Sequence, residues 1–230
     1  MCFLHKIRSA FLEFLSFGLC YVLIPFHKEL KWKKHRLKKG IIFVPGYLNN
    51  ALVFFYHGRQ LKKAGFGPIW AVNLGYPFSN IEKFARRLKR KIDRMQKKFA
   101  LDEIVLIGHS MGGLVASYYA LNLNDQGLVK QVISLGTPFK GTKVAKVGLG
   151  KCAKEMEFGS SFLDGFLKKL TNQNKIRIDQ IATSFDQIVI PYTSSLLEKE
   201  LGSRFVLEDL GHAALLFSKR VNAKIISWLL

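Results

Sequence analysis

Apolar residues along this chain fall into two rhythms, and their alternation sets the fold. Short continuous runs, such as Ile41-Ile42-Phe43-Val44 and Ile104-Val105-Leu106-Ile107, are too brief for buried helices and rich in β-branched residues. Runs of this kind predict strands near residues 41–45, 69–74, 103–108, 130–136, 176–183 and 203–208. Helical patterns fall near 50–64, 80–99, 111–123 and 213–229, between or after those strands. Apolar strands separated by helices imply an α/β fold, a mostly parallel sheet with helices on both faces. Gly65-Phe66-Gly67-Pro68 and Gly75-Tyr76-Pro77 punctuate the turns. With 230 residues and no internal repeat, the body from residue 40 to 230 reads as one domain with a full core.

Two segments break the alternation. Residues 141–175 follow the fourth strand and carry Phe162, Phe166, Leu167 and Leu170 at helical spacing. That stripe suits either a short cap insertion or an ordinary packing helix. Residues 1–39 differ more. Phe3, Leu4, Ile7, Phe11, Phe14, Leu15 and Leu19 recur at helical spacing, and between Ser9 and Phe26 the one charged residue is Glu13. This apolar stretch lies at the lower limit of a membrane span, which usually needs about 20 residues. A basic run follows, His27-Lys28 and then Lys31 to Lys39. Three readings are open: a spanning or interfacial membrane anchor, a cleaved signal peptide, or an extra helix packed on the domain. No small-x-small cleavage site supports the second. The first implies a membrane-associated protein facing the cytoplasm, since basic flanks stay on that side and attract anionic lipid.

Charge enters here. The chain holds 36 Lys and Arg against 16 Asp and Glu, a formal net charge of +20. Much of the excess lies in the run after residue 27 and in Arg86-Arg87-Leu88-Lys89-Arg90-Lys91. Neither run is interleaved with stacking aromatics or embedded in a nucleic-acid motif. A solvated face that favours an anionic membrane explains the charge more simply than nucleic acid. The three cysteines, Cys2, Cys20 and Cys152, are odd in number and widely spaced, so neither a disulfide frame nor a metal site is implied. No cofactor is implied.

The chemistry is concentrated in Gly108-His109-Ser110-Met111-Gly112, set between the apolar run ending at Ile107 and the helical stretch from Gly113. A Gly-x-Ser-x-Gly at a strand-to-helix junction predicts a nucleophile elbow, which lifts a serine hydroxyl clear of a sheet. A serine needs a base, and the base needs an orienting acid. His212, on a loop between a late strand and the last helix, is the one histidine downstream of Ser110. Asp186, placed at the C-terminal edge of the 176–183 strand, is the candidate acid, with Asp209 its main competitor. Asp179 falls inside that strand. His57 and His109 have bland explanations, one in a helical stretch and the other at a variable motif position. The amides of Met111 and of Tyr47, in the loop after the first core strand, are the candidate oxyanion donors.

These residues carry a resemblance. Val44-Pro45-Gly46-Tyr47, Gly108-His109-Ser110-Met111-Gly112-Gly113, Leu135-Gly136-Thr137-Pro138, Ser184 to Pro191 and Gly211-His212 resemble a bacterial lipase or esterase of the α/β-hydrolase superfamily. One departure is Pro45-Gly46, where many members carry His-Gly. The resemblance covers residues from about 38 to 230. It implies a serine hydrolase cleaving carboxylic esters of apolar acyl chains, with lipid or small-molecule esters as substrates. An acyltransferase or thioesterase would use the same triad, and a non-catalytic membrane-surface module would share the fold alone.

Overall fold

The computed structural model describes residues 3–26, 28–32, 38–75 and 78–230. The expected turn residues Tyr76-Pro77 and the centre of the basic run, 33–37, lie outside them. Among the described residues seven strands form one sheet: β1 (Leu30–Trp32), β2 (Lys39–Val44), β3 (Ile69–Ala71), β4 (Glu103–His109), β5 (Val129–Leu135), β6 (Arg177–Thr183) and β7 (Arg204–Leu207). Their order across the sheet is β1-β3-β2-β4-β5-β6-β7. Every neighbouring pair is parallel except β1 on β3, which is antiparallel. This is an α/β-hydrolase fold.

Helices cover both faces, which explains strands that are apolar at successive positions. The helices are α1 (Phe3–Leu23), α2 (Phe55–Lys63), α3 (Ile81–Phe99), α4 (Met111–Asn122), α5 (Lys151–Glu155), α6 (Ser161–Thr171) and α7 (Lys219–Leu229). Ile42 and Val44 of β2 point into a core shared with Phe84 and Leu88 of α3 and Leu114 and Val115 of α4. Ile41 and Phe43 point the other way, into a core with Leu61 of α2 and Val221 and Ile225 of α7. The pleat thus feeds two cores from one strand.

Where sequence and structure differ, particular contacts and caps account for it. The edge strand β1 is three residues long and lies in a basic stretch, too short to show a period. It is pinned by the Trp32 ring, which fills the space above Gly58 of α2. The stretch 213–229 is two elements, a 3₁₀ turn over Ala213–Phe217 and then α7, because Ser218 caps the new helix through the Val221 amide. Asn50 likewise starts a 3₁₀ turn at Ala51–Phe54 before α2. In the 141–175 segment, Leu163, Phe166 and Leu170 of α6 are buried in the α3/α4 core, so its apolar stripe is spent on packing.

The N-terminal helix is packed on the body with its polar side inward. Ser9, Glu13, Ser16 and Cys20 follow helical spacing and are all buried. Phe11, Phe14, Leu15, Leu19 and Val22 are exposed on the opposite side, Phe14 at 75%. The Ser9 hydroxyl donates to the Asp209 carbonyl at 2.7 Å. At the other end the Asn50 amide donates to the carbonyls of Leu23 and Ile24. Among the described residues no helix is long and apolar enough to cross a membrane.

Candidate active site

The elbow is built by sterics. Strand β4 ends at His109 and α4 begins at Met111, so the chain reverses its course over Ser110 alone. Ser110 takes φ 53° and ψ −128°, a backbone region that residues with a side chain rarely adopt. The turn closes only because the neighbours lack side chains. A Cβ on Gly108 would lie 2.5 Å from the Gly113 backbone, one on Gly112 would overlap the Val44 carbonyl, and one on Gly113 would overlap Thr137. That last contact gives Gly136-Thr137-Pro138 a physical role, since the buried Thr137 is what lies against the start of α4.

His212 is brought to Ser110 from more than a hundred residues away. Both line one cavity of about 190 Å³, together with Phe17, Cys20, Tyr21 and Ile24 from the N-terminal segment, Tyr47, Leu48, Val144 and Ile188. Asp186 follows β6, and its Oδ2 lies 2.8 Å from His212 Nδ1, with both side chains almost fully buried. Its Oδ1 accepts from the amides of Ile188 and Val189 at 2.8 and 2.7 Å, which fixes the carboxylate in place. Burial alone would lower the imidazole pKa, but Asp186, and then Glu13, outweigh it and hold His212 above the ordinary value of 6.5. The competing acid, Asp209, pairs with Arg220 instead. Asp179 is buried inside β6, where it holds Gln131, Arg177 and the Ser203 amide.

The loop after β2 reaches the elbow. A Cβ on Gly46 would lie 3.0 Å from the Ser110 Cβ and 3.1 Å from the His109 carbonyl, so the loop backbone runs directly against Ser110. Leu48 takes φ 56° in the same loop. The Tyr47 hydroxyl donates to the Leu149 carbonyl at 2.8 Å and accepts from the Leu149 amide at 2.9 Å. This clamp ties the loop to the segment after β5. Met111 lines a second cavity of about 360 Å³, which shares Ile24, Leu48 and Asn49 with the first and adds Pro25, Leu74 and Phe84.

Two groups at this site escape sequence reading. His109, at the variable position of the motif, is buried, and its Nε2 donates to the His212 carbonyl at 3.1 Å. Burial and then the neighbouring His212 push its pKa well below 6.5, so it serves as a neutral donor. Glu13 accepts from the amides of Ala213 and Ala214, the two residues after His212. Neither role has a local signal, since the first is a packing outcome and the second joins residues 200 positions apart. His57 of α2 is structural, bridging Asn222 and the Leu215 carbonyl. Among the described residues no group of His, Cys, Asp and Glu is placed to hold a metal ion.

Comparison with solved structures gives the same architecture. The mature lipase BlEst2 of Bacillus licheniformis superposes with a TM-score of 0.75 at 15% identity, covering 88% of this chain and 98% of that one. The esterase Pf2001 of Pyrococcus furiosus gives 0.67 at 18% identity, covering 88% and 91%. A lipase-esterase related protein of Clostridium acetobutylicum gives 0.64 at 16% identity, covering 87% and 98%. At such identities the likeness is one of fold. No curated protein matches the sequence. A family model does match, over residues 35–194, a span that includes Ser110 and Asp186 and stops short of His212. The chain belongs to that family, described as alpha/beta hydrolases of unknown function (DUF915).

Proposed function

We propose that the protein is a serine hydrolase that cleaves carboxylic esters of apolar acyl chains at a membrane surface. The observation that carries this reading is the shared cavity, where a serine on a strained elbow and an Asp186-paired histidine meet between apolar walls. Ser110 Oγ attacks the ester carbonyl while His212 Nε2 takes its proton. Asp186 keeps the Nδ1 proton in place and stabilises the imidazolium. The oxyanion is held by the backbone amides of Met111 and Tyr47, each such donor being worth roughly 3 kcal/mol at the transition state. The leaving alcohol receives the proton from His212, and water, activated by the same base, releases the acid from the acyl-enzyme.

Substrate class follows from the walls. Phe17, Ile24, Leu48, Val144 and Ile188 offer an acyl chain apolar surface, and the adjoining cavity extends it past Met111 to Leu74 and Phe84. The inverted helix α1 supports a lipid surface as the partner. A helix that buries serines and a glutamate while exposing phenylalanines and leucines gains by laying its outer face into an acyl-chain boundary. The net charge of +20 favours an anionic one.

A panel of p-nitrophenyl acyl esters tests the reading. Wild-type protein is expected to hydrolyse them and Ser110→Ala to lose that activity while keeping its circular dichroism. Undiminished hydrolysis by pure Ser110→Ala would overturn it.

A further inference from the structure

The chain after His212 enters a 3₁₀ turn, Ala213–Phe217, whose first amides lack partners inside the helix. The residue at the capping position is His212 itself, and its side chain makes no cap. It cannot, because Nδ1 is committed to Asp186 at 2.8 Å. The orphaned amides are satisfied from the other end of the chain. Glu13 Oε1 accepts from the Ala213 amide at 2.8 Å, and Oε2 accepts from the Ala214 amide at 2.9 Å. Both oxygens act as acceptors, the pattern of a carboxylate at a helix N-terminus.

Three further features show that the space is made for this group. Glu13 is 4% exposed, a burial that a lone carboxylate does not tolerate without such donors. Gly211, the residue before His212, has no room for a side chain, because a Cβ there would overlap the Glu13 carboxylate. The Ser9 hydroxyl, one helical turn earlier, holds the Asp209 carbonyl of the same loop. The loop carrying His212 is therefore gripped by α1 at Asp209, Ala213 and Ala214.

We infer that Glu13 is a positioning residue for the general base, holding the His212 turn in register through the Ala213 and Ala214 amides. This rests on the serine-hydrolase reading above. It makes the lipid-facing helix a working part of the active site rather than an appendage, since the same helix presents Phe11 and Phe14 outward and Glu13 inward. Charge adds a second consequence. The ionisable groups facing His212 are Asp186 from the β6 side, Glu13 from α1 and His109 from the elbow, with Cys20, Tyr21 and Tyr47 lining the same cavity. Burial and Glu13 push the Cys20 thiol up to about 12, which leaves it neutral. His109 is neutral as well. Burial raises the Glu13 pKa above the ordinary carboxylate value, opposed by the Ala213 and Ala214 amides and by His212, and with both of its oxygens accepting hydrogen bonds it faces the imidazolium as a carboxylate beside Asp186.

The test uses full-length protein and a short soluble ester, so that lipid binding does not enter. Glu13→Gln keeps the shape but turns an N–H group toward one of the two amides. The expected result is a kcat lowered about ten- to a hundred-fold with KM little changed, as for a small displacement of a catalytic group. The acidic limb of kcat/KM is expected to move to lower pH, because removing a negative charge beside His212 lowers its pKa. A merely structural role would lower the melting temperature and leave kcat per folded molecule and the limb where they were. Should Glu13→Gln not fold, Glu13→Asp decides, since it keeps the charge but shortens the reach. A lowered kcat with the limb in place supports the inference, and a wild-type kcat overturns it. A folded Glu13→Gln with wild-type kcat and limb also overturns it. Fluorophosphonate labelling of Ser110 in the wild type is run alongside. Absence of labelling there would count against the hydrolase reading itself, whereas equal labelling rates in wild type and Glu13→Gln would count against Glu13 alone.

Discussion

Replacing Asp186 with Asn changes the charge and one proton of the site while leaving its shape. Asp186 Oδ2 faces His212 Nδ1 at 2.8 Å, and Oδ1 holds two backbone amides. In Asp186→Asn the carbonyl oxygen keeps those amides, so the NH₂ group must face the imidazole. Nδ1 then becomes the acceptor, the proton moves to Nε2, and Nε2, the nitrogen proposed to take the Ser110 proton, no longer has a lone pair for it. In a working Ser-His-Asp triad, loss of the tautomer costs about 10⁴ in kcat, or about 5.5 kcal/mol of transition-state stabilisation, and the proposed mechanism expects a loss of that size here. The assay is kcat/KM for a p-nitrophenyl ester across pH, with folding checked by thermal melting. A loss of less than ten-fold would refute the argument that His212 depends on this carboxylate.

The same variant has a second signature. Asp186 raises the folded-state pKa of His212 above 6.5, so the pair contributes stability that is fully present below the unfolded-state pKa. That contribution is lost as pH rises through the raised folded-state value. Asp186→Asn should therefore lower the melting temperature more at pH 6 than at pH 9. A loss that is equal at both, or larger at pH 9, would contradict the assigned charge state.

Two other outcomes follow from packing and from the outer face of α1. Gly112→Ala should prevent stable folding, because its Cβ would overlap the Val44 carbonyl, a backbone atom held in the central sheet; a wild-type melting temperature would show the elbow is looser than described. Phe11→Ser with Phe14→Ser should weaken sedimentation with vesicles of anionic phospholipid by about ten-fold or more, since each loses an exposed aromatic worth roughly 1.5–3 kcal/mol when buried. Hydrolysis of a short soluble ester should be unchanged in that double variant, and unchanged vesicle binding would remove the lipid-facing role of α1.

What the sequence made legible is what local rules encode. The elbow is contiguous, and its glycines, its preceding strand and its following helix can be read within a dozen residues. His212 could be singled out as a candidate by exclusion, as the one histidine downstream of Ser110, and Asp186 by its place past a strand, and the fold pairs the two. The interleaved strands and helices of the body follow from periodicity, because a sheet covered on both sides demands apolar runs. The rest depends on contacts between distant parts of the chain. Strand β1 exists because β3 offers it an edge, not because three residues have a pattern. Glu13 read as the one charge in an apolar stretch, and only the fold shows it beneath the His212 turn. Helix α1 likewise read as an apolar segment with an odd polar residue, and the burial of Ser9, Glu13, Ser16 and Cys20 reveals that its polar side faces in.

The proposed chemistry stands or falls with Ser110 as an activated nucleophile served by His212. Its most direct test is treatment of folded protein with a fluorophosphonate probe, wild type beside Ser110→Ala, read by intact mass and peptide mapping. One stoichiometric adduct on Ser110, absent from the variant, is expected. An unlabelled Ser110 in folded wild-type protein, or equal labelling of Ser110→Ala, would contradict it.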